Sequence, residues 1–129
     1  MKDYLNRLSN DVIGAAIEVH RELGAGLLES TYELALQHVL GLRGIASTRQ
    51  VLLPVRYKDL DLPDAYRIDL LVEDSLVVEV KAVEVIIPVH SAQLLTYLKM
   101  SKKHLGLLIN FHTIKLTDGV KRVVHQFPT

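Results

Sequence analysis

The sequence predicts an α/β fold, a mixed β-sheet flanked by helices. Three observations lead there. The hydrophobic periodicity runs in the order helix, helix, three strands, helix, strands. A strand hairpin followed by one helix and a further strand lets that later strand join the sheet in parallel. Finally, 129 residues with 49% hydrophobic content can bury one core but not two, so a single domain over residues 1–129 is expected.

The first helix is read from Ser9, where "SNDVIGAAIEVHRELGAG" repeats apolar side chains at Val12, Ile13, Ala16, Ile17 and Val19. Ser9 or Asn10 would cap its start and Gly24 its end. The second helix, Glu29 to about Leu42, carries the same period through Tyr32, Leu34, Ala35, Leu36, Val39 and Leu40, and Gly44 closes it.

"TRQVLLPVRYKD" then reads as a strand whose Pro54 cannot donate to a ladder and so favours an edge or a bulge. "KDLDLPD" reads as a turn. Two strands follow, Tyr66–Val72 and Leu76–Ala82, then a third helix over Val89–Ser101. The run "HLGLLINF" is apolar throughout, as in a strand covered on both faces. Asp118-Gly119 is expected to make a tight hairpin turn into "VKRVVHQF".

Composition excludes several classes of function. There is no cysteine, hence no disulfide, thiolate zinc site or cysteine nucleophile. No apolar run is long enough to span a bilayer, and "MKDYLNRLSNDVIG" lacks the order of a secretory signal, so a soluble, cytoplasmic protein without membrane contact is expected. Fifteen basic residues balance fifteen acidic ones, which gives the chain as a whole no bias toward nucleic acid. The glycines of "ELGAGLLE" lie between helices and do not follow a strand, which argues against a phosphate-cradling loop. The histidines are scattered; His20 and His90 could approach the site, but isolated histidines are more often polar surface or capped core, and that reading is preferred.

Against this background, three charges interrupt apolar strands: Asp69, Glu79 and Lys81. Side chains alternate along a strand, so Glu79 and Lys81 share one face while Val78 and Val80 share the other. By the same rule Arg67 and Asp69 are expected on one face of the preceding strand, and Ile68, Leu70 and Val72 on the opposite one. A two-residue turn at Asp74-Ser75 would pair Leu70 with Glu79, whereas a three-residue loop from Glu73 to Ser75 pairs Asp69 with Glu79. Matching the polar faces selects the odd loop. Two carboxylates on adjacent strands form a compact oxygen site for a hard cation such as Mg²⁺, with Lys81 placed to neutralise developing charge on a phosphate. They equally suit a solvated sheet face held by cross-strand ion pairs, and spacing alone does not separate the two. On the third helix Gln93 and Tyr97 are one turn apart; on the second, Glu29, Tyr32 and Glu33 share a face.

Taken together, these segments resemble a known pattern. "RID" followed by "EVK" looks like the core of the PD-(D/E)XK nuclease superfamily, and "QLLTY" like the Q-x-x-x-Y element of some of its branches. "GLLESTY" reads G-x-x-E-x-x-Y through Gly26, Glu29 and Tyr32, the signature of the GxxExxY family. Ile68 stands where the name-giving motif has proline. The resemblance implies a restriction-endonuclease-like core and a nuclease that hydrolyses phosphodiester bonds, in DNA, with Mg²⁺ or Mn²⁺. It implies Asp69, Glu79 and Glu29 as metal ligands, Lys81 as the catalytic lysine, and Gln93, Tyr97 and Tyr32 as support for site or substrate. A homodimer or a partner protein would supply specificity. The competing expectation is a non-catalytic binding or assembly module that keeps the nuclease fold.

Overall fold

The computed structural model describes residues 1–62 and 66–129 in full. Its elements run α1 (Lys2–Leu23), α2 (Glu29–Leu42), β1 (Ser47–Tyr57), β2 (Leu60–Val72), β3 (Leu76–Lys81), α3 (Pro88–Ser101), β4 (Leu105–Asn110), a short 3₁₀ turn (Leu116–Gly119) and β5 (Val120–Val124). The five strands form one mixed sheet in the order β1-β2-β3-β4-β5, antiparallel except for the β3–β4 pair. α3 provides the crossover that makes that pair parallel.

Both faces of the sheet are covered. α1 and α2 pack through Leu5, Val12, Ala16, Leu36 and Leu40 onto Leu70, Val78, Val80, Leu107 and Ile109. α3 packs through Leu94, Tyr97 and Leu98 onto Ile68, Val77 and Leu108 on the other face. Between these layers all six residues of β4 are buried, as its unbroken apolar run requires. Among the described residues no helix is long and apolar enough to cross a membrane.

Several expectations change in detail. α1 begins at Lys2, and Ser9 is a buried interior residue and not a cap, because the apolar stripe already starts at Leu5 and Leu8. β2 starts at Leu60, so the turn expected over "KDLDLPD" contracts to Lys58 and Asp59; residues 63 and 64 of that stretch lie outside the described side chains. Both turn residues have positive φ, 46° and 67°, as a two-residue hairpin twisted to match its strands demands. Pro54 sits on an edge strand and at a bulge, where the register shifts between Leu53 and Val55. The turn expected at Asp118-Gly119 is instead the end of a longer connection whose Leu116 is buried in the core. Gly119 is there for close approach, since a Cβ would collide with the Asn110 carbonyl.

The correction that matters most for the site is a break in alternation on β2. Leu70 and Val72 belong to the core beneath α1 and α2, but Ile68 belongs to the core beneath α3. The expected common face of Ile68, Leu70 and Val72 therefore does not exist. β1 breaks at the same rung: Val51 packs on the α3 side, while Arg49 reaches Glu33 on α2. Register is kept across the break, with Arg49 opposite Leu70 and Val51 opposite Ile68. Between them lie Gln50, with φ at 54°, and Asp69. A single left-handed residue reverses which side the following side chains take, and β2 follows its partner through the turn.

Candidate active site

β2 leaves β3 at this break. The two strands pair only from Val72↔Leu76 to Leu70↔Val78, joined by the three-residue loop Glu73–Ser75. The next rung would place Asp69 opposite Glu79, as the parity of the polar faces predicts. Carboxylates replace the ladder there. Val80 N donates to Asp69 Oδ2 at 2.8 Å, and Asp69 N donates to Glu79 Oε1 at 3.3 Å. The Asp69 carboxylate thus lies close to the plane of the sheet, filling the fork where the strands part.

Glu79 projects from the same face of β3 as Val77, toward α3, and is 4% exposed. Burial, the neighbouring charge of Asp69 and hydrogen bonding to the Asp69 side chain push its pKa up to about 9, against the weaker pulls of the Asp69 backbone N–H and of Lys81. At neutral pH without a cation Glu79 is therefore held toward its neutral form. Lys81, half-buried on the same face two residues on, takes part in none of the ion pairs among the described residues. The arrangement is a carboxyl pair with a free amine beside it, and not a cross-strand salt-bridge ladder.

α2 contributes two carboxylates one turn apart, and they end in different places. Glu29, exposed at the first turn, accepts from Ala82 N at 3.2 Å, just beyond Lys81 at the end of β3. Asp69 accepts from Val80 N and Glu29 from Ala82 N, so the two acids sit about two residues apart along β3, on the order of 7 Å. Among the described residues no three His, Asp or Glu side chains converge as the ligands of one ion would. Glu33, by contrast, is 3% exposed and accepts from Gln50 Nε2 at 2.8 Å and Arg49 Nε at 3.0 Å. Burial raises its pKa, with Asp69 adding to the rise and Gln50 and Arg49 opposing it. Sequence reading placed Glu33 on the face of Glu29 but assigned it nothing. Its signal was a charge at the i−3 and i−7 positions of the buried Leu36 and Leu40.

Tyr32 is fully buried, stacked on Phe111 with ring centroids 4.5 Å apart. Its hydroxyl donates to Gly24 O at 2.6 Å and accepts from Leu27 N at 3.1 Å, tying down the loop that delivers Glu29. On α3, Tyr97 is 5% exposed, lies edge-on to Tyr66, and has its pKa raised by burial and by the charges of Glu79 and Asp69. Gln93 is exposed one turn earlier and makes no side-chain hydrogen bond among the described residues. His20 bonds Thr113 O, and His90 accepts from Ile87 N at the start of α3, so both are tied to backbone. Asn110 was missed: it holds Val83 from both sides, accepting from its N at 3.1 Å and donating to its O at 2.8 Å, and so fixes the chain just past Lys81.

The donor chemistry of the fork suits a hard divalent ion. Two carboxylates are the usual protein share of a magnesium shell, the remaining positions being water. Bringing two acids together at the cost of a raised pKa is otherwise unfavourable.

The comparison with known families agrees with this geometry: residues 6–123 match the PD-(D/E)XK nuclease superfamily. No curated protein and no solved structure matches the chain. With nearly the whole chain matched, and the D…ExK acids meeting in the fork of a mixed sheet, the chain belongs to the PD-(D/E)XK nuclease superfamily.

Proposed function

We propose that this protein is a divalent-metal-dependent nuclease of the GxxExxY type, hydrolysing phosphodiester bonds in DNA, with Asp69, Glu79, Lys81 and Glu29 as its working residues. The observation that carries the reading is the Asp69–Glu79 pair: two carboxyl groups held in contact, Glu79 with its pKa raised by burial, and an unpaired lysine beside them. Mg²⁺ or Mn²⁺ bound by Asp69 and Glu79 would supply Lewis acidity toward the phosphate and lower the pKa of an attacking water.

The chain's own groups do the rest. Val80 N orients the Asp69 carboxylate, Lys81 offsets negative charge as it develops on the phosphate, and Glu29 supplies a further acid at the open end of the fork. Tyr97 closes the α3 side, and Gln93, exposed one turn earlier on the same helix, is assigned to substrate contact on that exposure. Gly26, with φ at 95°, and the Tyr32 hydroxyl shape the loop before Glu29, which gives the G-x-x-E-x-x-Y spacing a mechanical sense. Zero net charge supports specificity supplied by a second copy or a partner protein.

The test is cleavage of single-stranded, duplex and branched DNA with Mg²⁺ or Mn²⁺, with Glu79→Ala as control. Cation-dependent cleavage lost in Glu79→Ala is expected. Cleavage that survives EDTA, or is unchanged in Glu79→Ala, would leave a binding module in a nuclease fold.

A further inference from the structure

The rung opposite Asp69 is held from outside the site. Gln50 occupies the left-handed region at φ 54°, where residues with a Cβ are strained, and no glycine or asparagine stands there to ease it. Its amide nitrogen bonds Glu33 Oε1 at 2.8 Å, and the same oxygen accepts from Arg49 Nε at 3.0 Å. An acid buried to 3% exposure thus grips two consecutive residues of β1 from α2. The reversal of faces at this rung is shared by β2, and it falls where β2 stops pairing with β3 after Leu70↔Val78, leaving Val80 N to the Asp69 carboxylate. Continued without the reversal, β2 would keep Asp69 on the face opposite Leu70 and Val72, beside Glu79, but would run on as a ladder strand, its backbone and not the Asp69 carboxylate taking Val80 N.

We propose that Glu33 and Gln50 form a positioning clamp: the buried carboxylate of α2 holds Gln50 in its left-handed turn, and that turn parts β2 from β3, so that the Asp69 carboxylate seats on Val80 N in the fork. The inference rests on the metal-site reading for its consequence in catalysis, but the clamp itself is a statement about Asp69 and Val80. Glu33 acts through Gln50 and does not touch substrate.

The clamp makes position 50 unusual, because glycine adopts φ 54° freely whereas alanine does not. Two quantities report it: protection of the Val80 amide in metal-free protein by hydrogen exchange, and Mn²⁺ affinity by calorimetry. Gln50→Ala is expected to weaken both by about tenfold relative to Gln50→Gly, the usual scale for losing a group that orients a metal ligand. Glu33→Ala should show the same loss, and Glu33→Ala/Gln50→Gly should recover most of it. Glu33→Gln, which keeps an acceptor oxygen, should stay near the wild type. A Gln50→Ala protein equal to Gln50→Gly, or a glycine that fails to rescue Glu33→Ala, would overturn the clamp. If Glu33→Ala does not fold, the two substitutions at the exposed position 50 decide alone. Wild-type protein that binds no Mn²⁺ while Val80 protection follows the expected order would remove the metal site and leave the clamp standing.

Discussion

A carboxylic acid that stays protonated at neutral pH is a stability device as well as a chemical one. Glu79 has a folded-state pKa of about 9, raised first by burial and then by Asp69. An unfolded glutamate titrates at about 4.3. Between those limits the native state holds the extra proton, so the stability this group contributes is full below the lower value and is lost as pH rises through the upper one. In EDTA, Glu79→Gln should match the wild type near pH 4 and exceed it by a few kcal/mol, as an order of magnitude, at pH 9. Urea denaturation across that range measures it, and a wild-type curve parallel to that of the variant would contradict the buried acid. The same proton must leave when a cation binds. Mn²⁺ affinity should therefore rise roughly tenfold per pH unit between pH 6 and 8, with about one proton released per ion in calorimetry across buffers. A pH-independent affinity would mean that Glu79 is not a ligand.

At the scale of elements, what could be read from sequence followed from local period, and what escaped depended on two elements acting together. The span of α2, the parallel β3–α3–β4 unit and the Asp69–Glu79 pairing follow from apolar spacing and the parity of a three-residue loop. The reversal at Gln50 does not, because nothing in "TRQVLLP" announces a left-handed residue whose support is a glutamate on the preceding helix. The extension of β2 to Leu60 escaped for a similar reason: Lys58-Asp59 is weak turn chemistry that the long ribbon with β1 overrides. Tyr32 shows how an element can serve a site it never enters. Tyr32→Phe keeps the stack on Phe111 but frees Gly24 O and Leu27 N. A loss of about 1–2 kcal/mol in chemical denaturation is expected, with faster amide exchange at Leu27 as the local signature. Unchanged exchange there would show that the loop holds its shape by itself.

Across the whole molecule, the fork joins parts that the cores keep apart. Asp69 sits where β2 crosses from one core to the other, Glu79 faces α3, and Glu29 and Glu33 arrive from α2. An ion bound between Asp69 and Glu79 would tie β2 to β3 where their backbone pairing has stopped. It would bind the native chain alone, because the unfolded chain has no such pair. Stability should then rise with free ion by mass action, about 2.7 kcal/mol at a hundredfold excess over Kd, or a melting temperature several degrees higher. Two substitutions separate this effect from catalysis. Glu79→Ala removes a ligand and should abolish both the thermal shift and turnover, while its metal-free form should gain on the wild type as pH rises toward 9, since no buried acid then has to ionise beside Asp69. Lys81→Ala leaves both carboxylates in place and removes a positive charge next to them, so the shift should persist, or grow, as turnover falls by two to three orders of magnitude, roughly the effect of deleting one charge-stabilising group. Calorimetric scans with and without Mn²⁺ on the three proteins, beside cleavage rates, give the comparison. A Lys81→Ala protein that loses the thermal shift along with activity would mean that the lysine holds the site's shape, and its assignment to chemistry would fail.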